Sequence, residues 1–438
     1  MIHISEVKKH NGETVTVRGF VKQVRDMKKM QFIIVRDITE SVQVTIEKNE
    51  ANQKINDIIS SLTVESSVKV TGKVNVTEFV KLNGVEIIPT DIVIANKANN
   101  FMPIDLTDFA ESNRDIRLDW RFLDLRSKEH QLIFKVQTTA EMAMREYWTD
   151  NGFIEIHSPK LMGNPSESGA ELFELEYFGR KAFLAQSPQF YKQMGIASGF
   201  EKVFEIGPVF RANKSSTSRH DTEFTSVDVE IGWIDGVEDV MQFEEKWINY
   251  FMQRIKEKHG EEIKAVFNRE IAVPSLPFPR ITIKQAKKII KDGGYEVPPE
   301  TKGDLDPTAE RMLGAYAKEK FGHDFIFVTE FPSSIRPFYH MRDEKDNSIT
   351  KSFDLLWNGL EVTTGAQREH RYDIICKQAV EKGLSLEKLK SYLDYFDYGT
   401  PPHGGFGFGL TRMLMNLLGY ANVREVTYIY RGVDRLFP

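Results

Sequence analysis

The sequence predicts an α+β protein of two domains, and three observations carry that prediction. Short alternating segments fill the first hundred residues. Beyond them, strand-like segments come in runs with helical stretches segregated between them, without strict strand–helix alternation. Near the C-terminus, Gly405, Gly407 and Gly409 alternate and then run straight into the helical stripe Leu410, Met413, Leu414, Leu417 and Leu418. The first pattern suggests a small barrel. The second suggests a largely antiparallel sheet flanked by helices. The third suggests a flat glycine strand entering a helix, where the absent side chains serve either close packing or close approach of a ligand.

In the first hundred residues, Val15, Val17, Gly19 and Val21 share one face, and Val42, Val44 and Ile46 share another, with Gln43 and Thr45 opposite them. Further strands fall at 68–76 and 85–93, and 50–61 reads as a short helix. Five short strands with one helix suggest an OB-type barrel over residues 1–100. Arg18, Lys22, Arg25, Lys28, Lys29 and Arg36 cluster in its first half with Phe20 and Phe32 among them. Cations and aromatics together suit a single-stranded nucleic acid, although an ordinary solvated barrel surface carries the same pattern.

Residues 97–118 are polar and mixed, so a linker is placed over 101–128. The second domain, 129–438, opens on a long helix with Ile133, Val136, Ala140, Ala143 and Tyr147 at helical spacing. Asn151-Gly152 ends it, and 153–156 begin a strand that stops at Pro159. Several strands follow over 172–233. Helices are expected at 240–258, stopped by Gly260, and at 283–292 and 307–320; strands return at 324–329, 352–356 and 360–364.

Composition narrows the function. The net charge is −6, with 14 basic against 12 acidic residues in 1–100 and 44 against 52 in the remainder. Any nucleic-acid contact is therefore local and does not come from a global basic field. Cys376 is the single cysteine, which excludes a disulfide framework and a multi-cysteine zinc site. It reads as a small buried hydrophobe. No run of 18 apolar residues occurs and the N-terminus lacks the apolar core of a secretory leader, so a cytoplasmic protein without a membrane span is expected.

Five stretches carry more polar groups than a plain core needs: 165–169, 186–192, 210–230, 360–368 and 404–418. Arg211, Arg368 and Arg412 sit at the ends of apolar segments, and a planar guanidinium there suits phosphate or carboxylate. Glu361 and Thr364 could offer oxygens to Mg²⁺. Taken singly, each stretch reads more readily as a structural ion pair or a turn, since ion-pair networks also explain buried charges. There is no Gly-x-x-x-x-Gly-Lys-[Ser/Thr] loop, and the glycine triplet lacks the βαβ setting of a dinucleotide site, so a different nucleotide scheme is needed.

Together these stretches resemble the class II aminoacyl-tRNA synthetases, and within them the compact archaeal and eukaryotic aspartate enzymes, over nearly the whole chain. The helix ending at 152–159 is similar to motif 1, the family's dimer-interface element. Residues 210–230 are similar to motif 2 and 405–412 to motif 3. The spacing between these two leaves no room for the large insertion of the bacterial form. The resemblance implies an anticodon-binding OB domain, a catalytic sheet holding bent ATP, and a homodimer through motif 1. It implies that Arg211 and Arg412 are the catalytic pair, with Arg211 on the α-phosphate and Arg412 across the adenine from Phe224. Asn213 would meet the adenine edge, Arg219 and His220 the outer phosphates, and Glu361 with Thr364 would hold Mg²⁺. For the amino acid, Ser166, Gln189 and Asp228 would surround the α-ammonium with Glu167 nearby. Lys192 and Arg368 would hold the side-chain carboxylate, and Thr364 joins this set. In the barrel, Arg25, Phe32 and Gln43 match the anticodon-reading positions of tRNA for aspartate, or also for asparagine. The chain departs from the family pattern at Asn213, where glutamate is usual, at Thr411, and in the tail 428–434. The alternatives that remain are an asparagine enzyme and a paralogue with a specialised or regulatory role.

Overall fold

The computed structural model describes all residues except 107–111, 166–170, 215–216, 302 and 438. The chain divides into two compact units, Met1–Lys128 and Glu129–Pro438.

In the first unit the alternating segments become β1 (Thr14–Asp26), β2 (Met30–Arg36), β3 (Ser41–Glu47), β4 (Ser67–Val76) and β5 (Val85–Asn96). They close into a barrel of order β1-β2-β3-β5-β4, with α1 (Gln53–Ser61) between β3 and β4. Val17, Val21, Ile33, Val35, Val42, Val44, Val70 and Ile87 fill the interior with no exposed surface, because each strand of a closed barrel turns alternate residues inward. Two short helices, α2 (Arg114–Asp119) and α3 (Arg121–Asp124), lie within the stretch read as a linker. Just beyond them, the Arg126 guanidinium lies 4.0 Å from the Phe20 ring centre and pairs with Glu65 at 2.8 Å. Glu65 also holds Arg36 at 2.6 Å. Phe20 and Arg36 therefore leave the set of candidate nucleic-acid contacts.

The second unit begins with α4 (Lys128–Asp150), then β6 (Ile154–Glu155), β7 (Leu161–Met162), β8 (Glu174–Tyr177), β9 (Arg180–Leu184), α5 (Gln189–Ala197), β10 (Lys202–Phe210) and β11 (Glu223–Gly232). There follow α6 (Val237–Phe267), β12 (Arg280–Thr282), α7 (Ile283–Asp292), α8 (Pro307–Phe321), β13 (Phe325–Thr329), β14 (Ser352–Trp357) and β15 (Leu360–Gln367). The last elements are α9 (Tyr372–Glu381), α10 (Leu386–Asp397), β16 (His403–Gly409), α11 (Leu410–Leu418) and α12 (Val423–Val426). The main sheet has the order β12-β13-β14-β15-β16-β11-β10-β6, and β7-β9-β8 form a small second sheet. The edge pairings β12–β13 and β10–β6 are parallel and every pairing between them is antiparallel. Among the described residues no helix is long and apolar enough to cross a membrane.

α6 corrects the expectation of a stop at Gly260. It runs on to Phe267 and ends at Asn268, whose φ of 52° places it in the left-handed region. Trp247, Ile248, Phe251, Ile255, His259 and Ile263 continue one buried stripe past the glycine. That packing outweighs the roughly 1 kcal/mol a mid-helix glycine costs. Cys376, on α9, is half-buried and packs against the cluster around Phe190 and Tyr392.

The β16 pleat explains the glycine triplet. Phe406 and Phe408 point to one side and stack around Trp247, at 5.5 and 5.1 Å between ring centres. Gly405, Gly407 and Gly409 therefore face the other side, since neighbours on a strand alternate. On that side a Cβ at Gly405 would collide with the Val229 carbonyl and the Glu230 carboxylate, and one at Gly407 would sit 3.4 Å from Asp228 Oδ1.

Candidate active site

The face that the β16 glycines share with β11 is the floor of a cavity of about 340 Å³. Of the residues picked out from sequence in this unit, Gln189, Lys192, Arg211, Asn213, Arg219, His220, Phe224, Asp228, Glu361, Thr364, Arg368 and Arg412 all line it. Ser166 and Glu167 lie outside the described residues. β11 supplies Phe224, Ser226 and Asp228 at every second position, with Glu230 next in the same row. Register pairs Ser226, Asp228 and Glu230 with Gly409, Gly407 and Gly405.

At one end of the cavity, buried charges interlock. Lys192, the fourth residue of α5, is 1% exposed and lies 2.8 Å from Asp228 and 3.5 Å from Glu230. Arg368, just beyond β15, donates to both Glu230 oxygens, through Nε at 3.0 Å and Nη2 at 3.4 Å. Burial alone would raise the Glu230 carboxyl, but Arg368 and Lys192 outweigh it and hold it below the usual range. Gln193 donates to His403 at 2.9 Å and accepts from Tyr392 at 2.8 Å, so a neutral network supports this cluster from beneath. His403 is fully buried, which holds its ring down to about 4 and uncharged. Gln189 Nε2 is buried with no partner among the described residues.

At the other end, Arg211 is exposed, lies 5.4 Å from the Phe224 ring centre, and has no ion pair among the described residues. Arg412, on α11, donates to the Glu361 carbonyl at 2.9 Å and lies 3.3 Å from its carboxylate. Arg219 pairs with Glu310 of α8 at 2.8 Å. His220 takes Thr217 as its partner at 2.5 Å, and burial and Arg412 lower its pKa.

Next to Glu361 and Thr364, which line the cavity, lie two further carboxylates, Asp354 and Glu310. Thr364 donates to Glu361 at 3.2 Å and pairs across the sheet with Asp354 of β14. Arg336 donates to Asp354 Oδ2 at 2.6 Å, while Asp354 Oδ1 is buried with no partner among the described residues. Burial, reinforced by Glu361 and opposed by Arg336, pushes the Asp354 carboxyl up to about 7. Burial and then Glu361 push Glu310 up to about 7. The Glu361 carboxylate, the Thr364 hydroxyl and the orphaned Asp354 oxygen together fit a hard divalent cation. Among the described residues no group of three or more His, Cys, Asp or Glu is placed to hold a metal ion by itself. An open site of this kind suits an ion shared with ligand phosphates.

Sequence reading missed Glu230, Glu310, Asp354, Asp221, Arg336 and His340. Glu230 had a signal, as the next polar residue in the row Phe224, Ser226, Asp228. Asp354 is the only acid in a strand that is otherwise buried and largely apolar, which was also legible. Glu310 reaches the site from a separate helix and had no local signal.

In the barrel, Arg25 and Phe32 are cross-strand neighbours on β1 and β2, and Phe32 faces Thr45 on β3. The Gln43 amide donates to Thr45 at 3.0 Å and to Glu86 at 3.4 Å, which leaves its carbonyl oxygen outward as an acceptor.

Residues 113–430 match the family model described as tRNA synthetases class II (D, K and N), and residues 15–95 match an OB-fold nucleic acid binding domain. The chain is 43% identical to an aspartate–tRNA(Asp/Asn) ligase of Methanopyrus kandleri, over 98% of this chain and 97% of that protein. An aspartate–tRNA(Asp) ligase of Pyrococcus abyssi shows the same identity and coverage. Among solved structures, the asparaginyl-tRNA synthetase of Pyrococcus horikoshii with asparaginyl-adenylate superposes with a TM-score of 0.91 at 32% identity, over 100% of this chain and 99% of that one. The aspartyl-tRNA synthetase of Entamoeba histolytica gives 0.88 at 32%, over 100% and 92%.

Proposed function

Because the chain belongs to the class II tRNA synthetases of the D, K and N group, we propose that it activates aspartate with ATP and transfers it to tRNA. The observation that carries the choice of aspartate is the charge count of the buried cluster. Lys192 and Arg368 face Asp228 and Glu230, two cations against two anions. A bound aspartate brings one ammonium and two carboxylates. Asp228 takes the ammonium, Lys192 and Arg368 take the side-chain carboxylate, and the α-carboxylate faces the ATP phosphates outside the cluster. Within the cluster the count stays balanced. Asparagine brings the ammonium without the side-chain carboxylate and leaves a surplus cation in the buried cluster, which is costly in a dry pocket.

The α-carboxylate oxygen then attacks the α-phosphorus of ATP and pyrophosphate leaves. Arg211, free and exposed at the mouth, holds the α-phosphate as charge shifts to it. Phe224 stacks the adenine and Arg412 covers its other face. Arg219 and His220 meet the outer phosphates, with Arg219 leaving Glu310 to do so. Mg²⁺ held by Glu361, Thr364 and Asp354 would neutralise phosphate charge. Such chemistry needs positioning and charge compensation more than proton transfer. In the second step a terminal ribose hydroxyl of tRNA attacks the acyl carbon and AMP leaves. The barrel face of Arg25, Phe32 and Gln43 reads the anticodon by stacking and one base-edge hydrogen bond. A homodimer through α4 and a cytoplasmic setting follow from the same reading.

Aspartate-dependent exchange of pyrophosphate into ATP tests the proposal. Exchange with aspartate, none with asparagine, and loss of at least about 100-fold in kcat/KM for Arg368→Leu are expected, since a buried charge pair is removed. Exchange with asparagine alone would overturn the substrate. tRNA binding without any exchange would favour a regulatory paralogue, the reading that Asn213 and the altered tail support. Charging of purified aspartate and asparagine tRNAs decides between one tRNA and two.

A further inference from the structure

Arg368 has five N–H donors and no acceptor. Glu230 takes two of them, at 3.0 and 3.4 Å, and the third partner is His340, whose Nε2 lies 3.0 Å from Arg368 Nη1. His340 is 3% exposed, lines the cavity, and forms an isolated antiparallel bridge with Arg368 through the backbone. Gln378 donates to its carbonyl at 3.2 Å, so the backbone is held from the other side. A guanidinium can only donate, so the nitrogen facing it carries a lone pair and the ring proton sits on Nδ1. That Nδ1 is buried with no partner among the described residues. Burial keeps the ring neutral, and the cations Arg368, Arg336, Lys382 and Lys192 act in the same direction.

We infer that His340 is a specificity-determining positioning residue: a neutral acceptor that fixes the Arg368 guanidinium without cancelling its charge. The inference rests on the reading of Arg368 as the group that holds the substrate's side-chain carboxylate. A carboxylate at position 340 would orient the arginine equally well, but it would leave Arg368 paired with acids on two sides. The cluster would then hold three anions against two cations and would repel a further one. A neutral imidazole avoids that. It also leaves two N–H donors of Arg368 uncommitted, the number a bidentate carboxylate accepts. The Tyr339 ring also lies near Arg368, 5.7 Å from the guanidinium carbon.

The test is pyrophosphate exchange with aspartate and asparagine, measured separately for KM of the amino acid and KM of ATP. His340→Asp is expected to raise KM for aspartate by about 30-fold or more, to reduce the preference over asparagine by a similar factor, and to leave KM for ATP within about twofold. His340→Gln, which keeps a neutral acceptor, should hold KM for aspartate within about threefold. His340→Leu removes the acceptor without adding charge. It should raise KM for aspartate by about tenfold while preserving preference for aspartate better than His340→Asp does. Leu also serves where the Asp variant does not fold, as judged by thermal unfolding. Unchanged KM for aspartate in folded Asp or Leu variants overturns the inference, as does an equal rise in both KM values. If the parent protein itself shows no aspartate-dependent exchange, the substrate reading fails first and separately.

Discussion

Asp354 shows how much a single side chain adds. It was absent from the set picked from sequence, yet it pairs with Thr364 across the sheet and keeps one buried oxygen with no partner among the described residues. An orphaned carboxylate oxygen beside Glu361 is costly to maintain unless a cation completes it. Asp354→Asn is therefore expected to raise the Mg²⁺ concentration for half-maximal pyrophosphate exchange by about tenfold, with KM for aspartate within about twofold, because a hard cation loses an anionic ligand. A magnesium titration of parent and variant checks this. Unaltered magnesium dependence would remove Asp354 from the metal set. Glu230 makes the complementary point. It was legible as the next polar residue in the β11 row, but its bond to two cations that are distant in sequence was not.

At the scale of elements, β16 and α6 each carry a testable claim. In β16 the pleat sends Phe406 and Phe408 into the aromatic layer and the glycines toward the site. Gly405→Ala places a methyl against the Val229 carbonyl and the Glu230 carboxylate, so a loss of about 2 kcal/mol or more is expected from overpacking. Thermal melts and aspartate KM should both move, since Glu230 anchors Arg368 and Lys192. In α6, Glu244 is fully buried, and burial, partly offset by a hydrogen bond from Thr363, pushes its carboxyl up to about 8. The folded state then binds this proton more tightly than the unfolded chain does. Stability falls as pH rises from the ordinary glutamate range through about 8, and flattens above it. Glu244→Gln removes that loss. Its melting temperature should exceed the parent's by about 3 °C or more at pH 9, with a smaller difference at pH 6. Equal differences at both values would show that Glu244 does not titrate in this window.

At the scale of the whole molecule, each unit has its own core. The barrel interior closes on Val17, Val44 and Val70, and the larger unit packs its aromatic layer against an antiparallel sheet. The two tasks of the proposed function should therefore separate by mutation. Phe32→Ala is expected to lower kcat/KM for tRNA charging by about tenfold, from the loss of one base stack, while aspartate-dependent exchange stays within about twofold. Parallel assays of charging and exchange check it. A matching loss in both would mean that Phe32 serves the fold and not the nucleic acid.

Local pattern alone determined a good deal here. Alternation over 13–47 specified barrel strands, because a half-buried strand has period two whatever it pairs with. The segregation of strands and helices specified an antiparallel sheet, and five polar stretches marked the site; the resemblance to a known family then singled out twelve residues that line one cavity. What the pattern could not supply was pairing. The continuation of α6 through Gly260 depended on the buried stripe beneath it. The loss of Phe20 and Arg36 as nucleic-acid contacts depended on Arg126 and Glu65. The charge balance of Lys192, Asp228, Glu230 and Arg368, and the neutral ring of His340 that steadies it, arise from chain segments up to about 180 residues apart. Electrostatic compensation is a property of distance in space, and only the tertiary structure sets those distances.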